Sequence, residues 1–357
     1  MPHKKLSIAF VCACTVFTVG ALPVSAAPPT QPAPLNILNI DKSQTSVSGA
    51  SSGGYMAVQL HIAYSSSFKK GAAVIAGGPY NCAENSILNG IGRCLGHAPI
   101  PVADLVAITN NWARDGLIDA TANLANAKVY LFSGANDSVV KEATTTALQA
   151  YYQHYLPATN IVHKKDIASE HAFVTNYIGA TCLTKAPPFI NNCGFDLAGA
   201  LLQHLYGALI PPNIAPNGAP NNLPTENLTG TLSEFDQSGF VTGHGMAASG
   251  WVYVPKNCST GTECRLHVAL HGCRQNATDV GQEFVRNAGY NRWADTNNIV
   301  VLYPQTGKGA INSCWDWWGY DDANYAKKSA PQMVAIMAMV EQLARGSKAL
   351  TPAPAKR

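Results

Sequence analysis

Short apolar runs and longer amphipathic stretches alternate along most of the chain. Runs rich in β-branched and aromatic residues and bounded by Gly, Asn or Pro are typical of buried strands. They predict strands at 44–48, 72–76, 128–133, 160–167, 229–236, 250–254, 265–270 and 299–303. Helical spacing of apolar residues predicts helices at about 53–64, 102–114, 139–155, 281–297 and 330–345. This alternation predicts an α/β fold in one domain, with a mainly parallel sheet flanked by helices.

The first residues differ from this pattern. Lys4 and Lys5 precede an apolar run from Leu6 to Leu22, and small residues follow up to Ala26. A basic start, an apolar stretch and small residues are typical of a secretory signal peptide. We therefore expect residues 1–26 to be a signal peptide and the protein to be secreted, either extracellular or periplasmic, with no membrane segment after cleavage.

Two other segments are predicted to lie outside regular structure. The stretch 211–228 is dense in Pro and Asn, which is typical of a surface connection. Residues 347–357 form a tail rich in Pro and Ala. The catalytic domain is therefore expected to cover 27–346, and neither half of it carries a domain of its own.

Charge and composition narrow the range of partners. Charged residues make up 13% of the chain, against about 25% in ordinary globular proteins. The formal net charge is +3, and two of the lysines lie in the expected signal peptide. Because no basic face is implied, nucleic acid is not an expected partner.

The cysteine count indicates disulfides rather than a metal site. Two of the ten cysteines lie in the expected signal peptide, and an even number in an exported chain favours disulfides. Eight cysteines allow 105 pairings, so the sequence alone leaves the pairing open. No CxxC pair is present, so no zinc site is expected. Short loops favour three local pairs and leave a fourth: Cys82–Cys94, Cys182–Cys193, Cys258–Cys264 and Cys273–Cys314.

A Gly-x-Ser-x-Gly motif lies between the first predicted strand and the first predicted helix. Gly49 and Gly53 flank Ser51 at the spacing of a nucleophile elbow, the sharp strand-to-helix turn that presents a serine hydroxyl. The motif alone is weak evidence for a catalytic serine. Its position between a predicted strand and a predicted helix strengthens that interpretation. Ser52 is the competing nucleophile, flanked by Ala50 and Gly54 at the same spacing.

A serine nucleophile needs a base, and the base needs an acid to orient it. Asp137 follows the strand at 128–133, and His171 follows the strand at 160–167. This is the chain order of acid and histidine in α/β hydrolases. We therefore expect Ser51, His171 and Asp137 to act together.

Other assignments remain open for the acid and the base. Asp137 is also a good N-cap for the helix expected after it. His154 and His163 compete with His171, although the first is expected on a helix and the second inside a strand. Glu170 is a second candidate acid, but a residue adjacent to the histidine rarely points at its Nδ1.

A displaced loop is predicted to complete the site. One oxyanion donor is expected to be the backbone N–H of Ser52, and the other normally comes from a His-Gly loop after an early strand. Here the His271-Gly272-Cys273 sequence follows a strand far downstream of the elbow. The strands from 229 to 303 therefore correspond to the usual leading half of an α/β-hydrolase fold, circularly permuted to the carboxyl end. The alternative is an ordinary turn at the end of a strand.

Long strings of the sequence resemble one enzyme family. The segments SVSGASSGGYMAVQL, AGGPYNCA, LHVALHGC, GYNRWADTNNIVVLYPQ and CWDWWGY are similar to those of secreted poly(3-hydroxybutyrate) depolymerases of the circularly permuted, single-domain type. The resemblance covers nearly the whole chain after the expected signal peptide. The stretch TGKGAINS is shorter here than the corresponding insertion of these relatives.

The resemblance implies specific roles for residues. It places the triad on Ser51, Asp137 and His171, and the oxyanion donors on the N–H groups of Ser52 and Cys273. It implies the four disulfides favoured above. It also places a polyester-contacting tryptophan at Trp317, although the sequence alone allows Trp315, Trp317 and Trp318 to be core aromatics.

The function implied is hydrolysis of poly(3-hydroxybutyrate) and related short-chain polyhydroxyalkanoates through an acyl-enzyme. A metal or organic cofactor is not required, and the expected partner of the monomeric protein is a polyester surface or its oligomers. The alternative within enzymes is a feruloyl or acetylxylan-type esterase. The alternative outside enzymes is a disulfide-braced polymer-binding protein.

Overall fold

The computed structural model describes residues 31–212 and 228–347, together with Met1. The strands are β1 (Ala33–Pro34), β2 (Ile40–Ala50), β3 (Gly71–Ile75), β4 (Lys128–Phe132), β5 (Ile161–Lys164), β6 (Phe173–Thr175), β7 (Ala180–Thr181), β8 (Ile190–Asn192), β9 (Thr231–Asp236), β10 (Ser249–Val254), β11 (Cys264–Leu270) and β12 (Ile299–Tyr303). The helices are α1 (Ser52–Ala63), α2 (Ile87–Asn89), α3 (Val102–Arg114), α4 (Glu142–Tyr152), α5 (Leu197–Tyr206), α6 (Lys256–Ser259), α7 (Ala277–Val280), α8 (Glu283–Asn287), α9 (Tyr290–Asn297) and α10 (Pro331–Leu343).

Nine strands form one sheet in the order β1-β9-β10-β12-β11-β2-β3-β4-β5. The run from β12 to β5 is parallel throughout, while β10 is antiparallel to both of its neighbours. The mainly parallel α/β sheet expected from the sequence is confirmed. Strand β2 lies between β11 and β3, so late and early parts of the chain meet at the centre of the sheet.

Both faces of the sheet are covered by apolar side chains, which explains the continuous apolar runs of its strands. In β3, Ala72 and Val74 face one core layer, and Ala73 and Ile75 face the other. Helices α1, α3, α4 and α10 contribute to the first layer, and α5, α8 and α9 contribute to the second. Because the strands from β12 to β5 are parallel, their carboxyl ends lie at the same edge of the sheet.

One polar group is buried beneath the elbow. The imidazole of His267 on β11 bonds to the hydroxyls of Ser46 and Ser48 on β2, each at 2.7 Å. Tyr290 bonds to Ser48 at 2.7 Å. Burial lowers the pKa of His267 to about 3, so the ring is neutral at ordinary pH.

Several predicted elements differ from those observed. The helix expected over 281–297 is interrupted, because Gly289 adopts a left-handed φ of 95° between α8 and α9. The helix expected from residue 139 begins only at Glu142. Helix α5 was not predicted, and neither was the small sheet β6-β8-β7, whose strands of two or three residues are too short for an alternating pattern.

Three expectations concern residues that the structure does not describe. Apart from Met1, the expected signal peptide over 1–26 lies outside the described residues, as do most of the connection at 211–228 and nearly all of the tail at 347–357. Within those ranges, no helix has the length and apolar character needed to span a membrane.

Candidate active site

Ser51 lies in the sharp turn between β2 and α1. Its φ of 54° and ψ of −119° are rarely adopted by non-glycine residues. A Cβ on Gly49 would lie 2.0 Å from the carbonyl oxygen of Gly53, and a Cβ on Gly53 would lie 2.4 Å from the carbonyl oxygen of His271. The two glycines are therefore required by backbone-to-backbone contacts, and the turn presents Ser51 at the end of a central strand.

The structure brings Ser51, His171 and Asp137 into one chain of hydrogen bonds. The Nδ1–H of His171 donates to Asp137 Oδ2 at 2.8 Å, and His171 Nε2 accepts from the Ser51 hydroxyl at 2.9 Å. The His171 side chain is 14% exposed and that of Asp137 only 2%. This order of donors assigns the tautomer in which Nε2 is free to take a proton from Ser51.

The second oxygen of Asp137 orders the turn that follows β4. Its Oδ1 accepts the N–H groups of Val139 and Val140, both at 2.8 Å. Because α4 begins at Glu142, Asp137 caps this turn and not the helix, so the alternative interpretation as a helix cap is corrected. The carboxylate is held from both sides.

The other candidates for the base and the acid do not join this chain of hydrogen bonds. His163 on β5 bonds to Ser133 at 3.0 Å, and His154 is exposed after α4. Glu170 accepts the N–H of His171 at 2.8 Å and does not bond to its ring. Burial alone would raise the pKa of Glu170, but hydrogen bonds from His171 and Ser138, together with the Lys185 ammonium, hold it below its usual range.

The turn at 271–275, which follows β11, lies against the elbow. A Cβ on Gly272 would lie 3.4 Å from the Ser51 Cβ. His271 Nε2 accepts the Thr306 N–H at 3.2 Å, so its Nδ1–H donates to the Gly272 carbonyl at 2.7 Å. Burial lowers the pKa of His271 to about 4, which keeps the ring neutral. His271 therefore supports the turn rather than acting as a base.

Two backbone N–H groups beside Ser51 have no backbone carbonyl partner among the described residues. The N–H of Ser52 is the first of helix α1 and has no intrahelical carbonyl partner. The N–H of Cys273, in the 271–275 turn, donates to no backbone carbonyl of the described residues. Next to it, the N–H of Arg274 donates to the Asn312 carbonyl at 3.0 Å.

The tryptophan loop, residues 314–322, borders the same site. Trp315 is fully buried, and its indole N–H donates to the His271 carbonyl at 2.9 Å. Trp317 stacks on Tyr55 with ring centroids 4.7 Å apart and is in T-shaped contact with Trp318. Trp315 is thus a core aromatic. Trp317 is also buried, at 8% exposed, and together with the half-buried Trp318 it lines the cleft above Ser51.

The described residues form four disulfides, two of which brace segments of this site. One joins the 271–275 turn to the tryptophan loop, and another closes the small sheet that follows His171. The pairs in the structure are Cys82–Cys94, Cys182–Cys193, Cys258–Cys264 and Cys273–Cys314.

Ser51 and His171 open into a cleft of about 620 Å³, within the usual range for small-molecule sites. Its lining is mainly apolar, and several lining isoleucines are unusually exposed for their type. Ile87, Ile91 and Ile311 are each 44–54% exposed. Across the described residues, no cluster of three or more His, Cys, Asp or Glu forms a candidate metal site.

Sequence reasoning missed one buried residue of this site. Gln275 accepts the Gly272 N–H at 2.8 Å and donates to the carbonyls of Pro188 and Phe189 at 2.9 and 3.2 Å. Its position two residues after Cys273 was the only available signal. The partners at Pro188 and Phe189 come from a distant segment, so the role of Gln275 appears only in three dimensions.

The chain is similar to known polyester depolymerases along most of its length. It is 60% identical over 321 residues to a poly(3-hydroxybutyrate) depolymerase of Delftia acidovorans, a match covering 89% of this chain and 63% of that protein. It is 36% identical over 329 residues to a polyhydroxybutyrate depolymerase of Talaromyces funiculosus, a match covering 87% of this chain and 93% of that protein. The chain belongs to the PHB depolymerase family.

Family and structural comparisons agree with this membership. Residues 249–349 match the family described as Esterase PHB depolymerase. The fold is similar to the crystal structure of PHB depolymerase from Penicillium funiculosum, with a TM-score of 0.80, 35% identity and coverage of 88% of this chain and 100% of that one. The same values hold for a PHB depolymerase with serine replaced by alanine, complexed with an R3HB trimer. The chain spans only 63% of the length of the Delftia relative.

Proposed function

We propose that this member of the PHB depolymerase family is a serine esterase that hydrolyses poly(3-hydroxybutyrate) and related short-chain polyhydroxyalkanoates. The observation that carries the proposal is the hydrogen-bonded series Ser51–His171–Asp137 at the base of an apolar cleft. Family membership and the relative bound to an R3HB trimer support the polyester substrate. The relatives compared do not favour a feruloyl or acetylxylan esterase.

In the proposed reaction, Ser51 Oγ attacks the ester carbonyl carbon while its proton moves to His171 Nε2. The imidazolium that forms is stabilised by Asp137, whose carboxylate lies 2.8 Å from Nδ1. The tetrahedral intermediate collapses as the alkoxide leaves with the proton from Nε2. Water then attacks the acyl-enzyme by the same route, and the products are an alcohol-ended chain and a carboxylic acid.

The N–H groups of Ser52 and Cys273 are proposed to stabilise the oxyanion of the intermediate. Both flank Ser51, one from the first turn of α1 and the other from the 271–275 turn. Hydrogen-bond donors aimed at the developing negative charge lower the barrier to acyl transfer more than most other groups of such a site. The stacking of Trp317 on Tyr55 supports a further role for Trp317 as an apolar wall for the bound polyester.

The exposed rim of the cleft supports action on a polyester. Leu88 is 78% exposed beside the partly exposed Ile87 and Ile91. A contiguous exposed apolar surface around a site is typical of a binding surface. A hydrophobic polyester would cover these side chains without requiring charged partners.

We also propose that the protein is exported as a monomer, with a signal peptide over 1–26 and a catalytic domain over 27–346. Four disulfides support an oxidising destination. We interpret the position of β11, late in the chain but beside β2, as a circular permutation of the α/β-hydrolase order.

The test is release of 3-hydroxybutyrate or its oligomers from polymer by wild type and Ser51→Ala. We expect wild type to release product and to be labelled by a fluorophosphonate probe, and Ser51→Ala to do neither. Ser259→Ala, at an exposed serine outside the lining of the cleft, is the control. Polymer hydrolysis by a folded Ser51→Ala variant would contradict the proposal, and probe labelling without polymer hydrolysis would point to another ester.

A further inference from the structure

The cleft above Ser51 has two chemically different halves. One half, here called the apolar half, is formed by Ile87, Ile91 and Leu95 together with Trp317 and Trp318. These segments pack on each other, since a Cβ on the intervening Gly90 would meet the Trp317 ring at 3.2 Å.

The other half, here called the cationic half, is formed by residues 185–189 and by Arg274 and Gln275. Gln275 joins these two segments through its hydrogen bonds to the carbonyls of Pro188 and Phe189. Gln275 thereby holds the segment that carries Lys185 against the turn that carries Arg274.

The charge of the lining is one-sided. Apart from His171, the only basic side chains of the lining among the described residues are Lys185 and Arg274, and none of the lining residues is an aspartate or a glutamate. The Lys185 ammonium donates to the Ser138 hydroxyl at 2.6 Å, and Lys185 also contributes to the low pKa of Glu170. The positive charge of Lys185 is therefore partly compensated by the Glu170 carboxylate.

Arg274 is the less balanced of the two cations. Its side chain is exposed, and it has no hydrogen bond or ion pair with the described part of the chain. Its backbone is nevertheless fixed, with φ of 55° and an N–H bonded to the Asn312 carbonyl. A guanidinium held at the cleft with its donors unused fits a planar carboxylate.

We propose that Arg274, assisted by Lys185, binds the free carboxylate at the end of an oligoester. This inference rests on the proposed polyester hydrolysis. A polyester of hydroxy acids is uncharged along its length, and its carboxyl end is the only anionic group. Each hydrolysis creates a new carboxylate, so a cationic subsite favours soluble oligomers over the interior of the polymer chain.

The subsite also gives the bound chain a direction. The carboxyl end belongs to the segment that leaves as the alcohol, whereas the acyl segment ends in a free hydroxyl. With the carboxylate on Arg274, the leaving segment occupies the cationic half and the acyl segment extends over Trp317 in the apolar half.

The experiment compares two trimers of 3-hydroxybutyrate, the free acid and its primary carboxamide, by chromatography of the hydrolysis products. The measured quantity is the ratio of kcat/KM for the acid to that for the amide. We expect wild type to favour the acid by about 1.5- to 5-fold, the range for an exposed ion pair. In Arg274→Gln the ratio should fall towards one, and in Lys185→Gln it should fall less.

The control is Arg114→Gln, which removes the same charge from an exposed position on α3 and should keep the wild-type ratio. The wild-type ratio should also fall in 1 M salt, where the Debye length is about 3 Å. A wild-type ratio of one, or an unchanged ratio in Arg274→Gln, overturns the subsite and leaves the esterase proposal intact. Failure of wild type to hydrolyse either trimer overturns both.

Discussion

Gln275 connects the 271–275 turn to the 185–189 segment of the cationic half, and its replacement tests whether that connection positions the proposed oxyanion donors. The side chain is 3% exposed and makes three hydrogen bonds, one to the Gly272 N–H and two to the carbonyls of Pro188 and Phe189. Gln275→Met keeps the length of the side chain and removes all three bonds. Gln275→Glu keeps an acceptor for Gly272 and removes the amide donor.

The expected loss follows from the groups left without partners. A buried N–H or C=O without a partner costs about 1–3 kcal/mol. The Phe189 carbonyl keeps its bond from the Phe173 N–H, so the Gly272 N–H and the Pro188 carbonyl lose their partner. With partial relaxation, Gln275→Met should lower the free energy of unfolding by about 2–4 kcal/mol. Removing one oxyanion donor costs about 10²–10³ in kcat, so displacing the proposed donor Cys273 without removing its N–H should lower kcat about tenfold.

The assay separates positioning from stability. Initial rates on a soluble butyrate ester give kcat and KM, fluorophosphonate titration counts the intact sites, and urea unfolding gives stability. We expect a large decrease in kcat per intact site and a smaller change in KM, because oxyanion stabilisation acts in the transition state. Gln275→Glu should recover part of kcat, and the exposed control Gln153→Met should match wild type. An unchanged kcat in a destabilised Gln275→Met would refute positioning by Gln275.

Three further predictions concern the core, the elbow and the tryptophan loop. The pKa of His267 is about 3 when folded and about 6.5 when unfolded, so the unfolded state binds more protons and stability falls as pH drops below 6.5. In urea unfolding, this group should lower the free energy of unfolding by about 2 kcal/mol at pH 5 relative to pH 8. If His267→Gln showed the same pH dependence of stability as wild type, this role of His267 would be contradicted. Gly49→Ala places a Cβ 2.0 Å from the Gly53 oxygen, so its yield of folded protein by circular dichroism should collapse; an active, folded variant would contradict the elbow geometry. The buried carboxylate of Asp316 accepts four backbone N–H groups, so Asp316→Ala should shift tryptophan fluorescence and raise KM through Trp317, and an unchanged KM would count against this.

The elbow was predictable because its determinants are local. The glycines at 49 and 53 are required by contacts within the turn and by one neighbouring loop, so five consecutive residues carry the pattern. Asp137 and His171 were predictable for a different reason, since parallel strands bring the loops after their carboxyl ends to the same edge. In the structure, His171 lies within hydrogen-bonding distance of both Asp137 and Ser51. The catalytic roles of Asp137 and His171 remain predictions.

Features that depend on contacts between distant loops were not predictable. Gln275 is one polar residue in a turn until the 185–189 segment is placed against it. Arg274 has no sequence pattern that marks it as facing a cleft. The double use of the Asp137 carboxylate, by His171 and by the following turn, likewise requires atomic positions. The break at Gly289 is different, since a glycine inside a helical pattern was a visible signal of interruption.

The Cys273–Cys314 disulfide makes substrate preference and turnover hard to engineer separately. It closes a loop with a sequence separation of 41 residues, which contains β12 and the segment before the tryptophan loop. Thr306 and Asn312 also bond to the 271–275 turn, so changes between 306 and 313 would reach that turn as well as the tryptophan loop. Variants selected for a different polymer should accordingly show strong epistasis between this segment and the 271–275 turn, and libraries that vary both together should outperform stepwise changes.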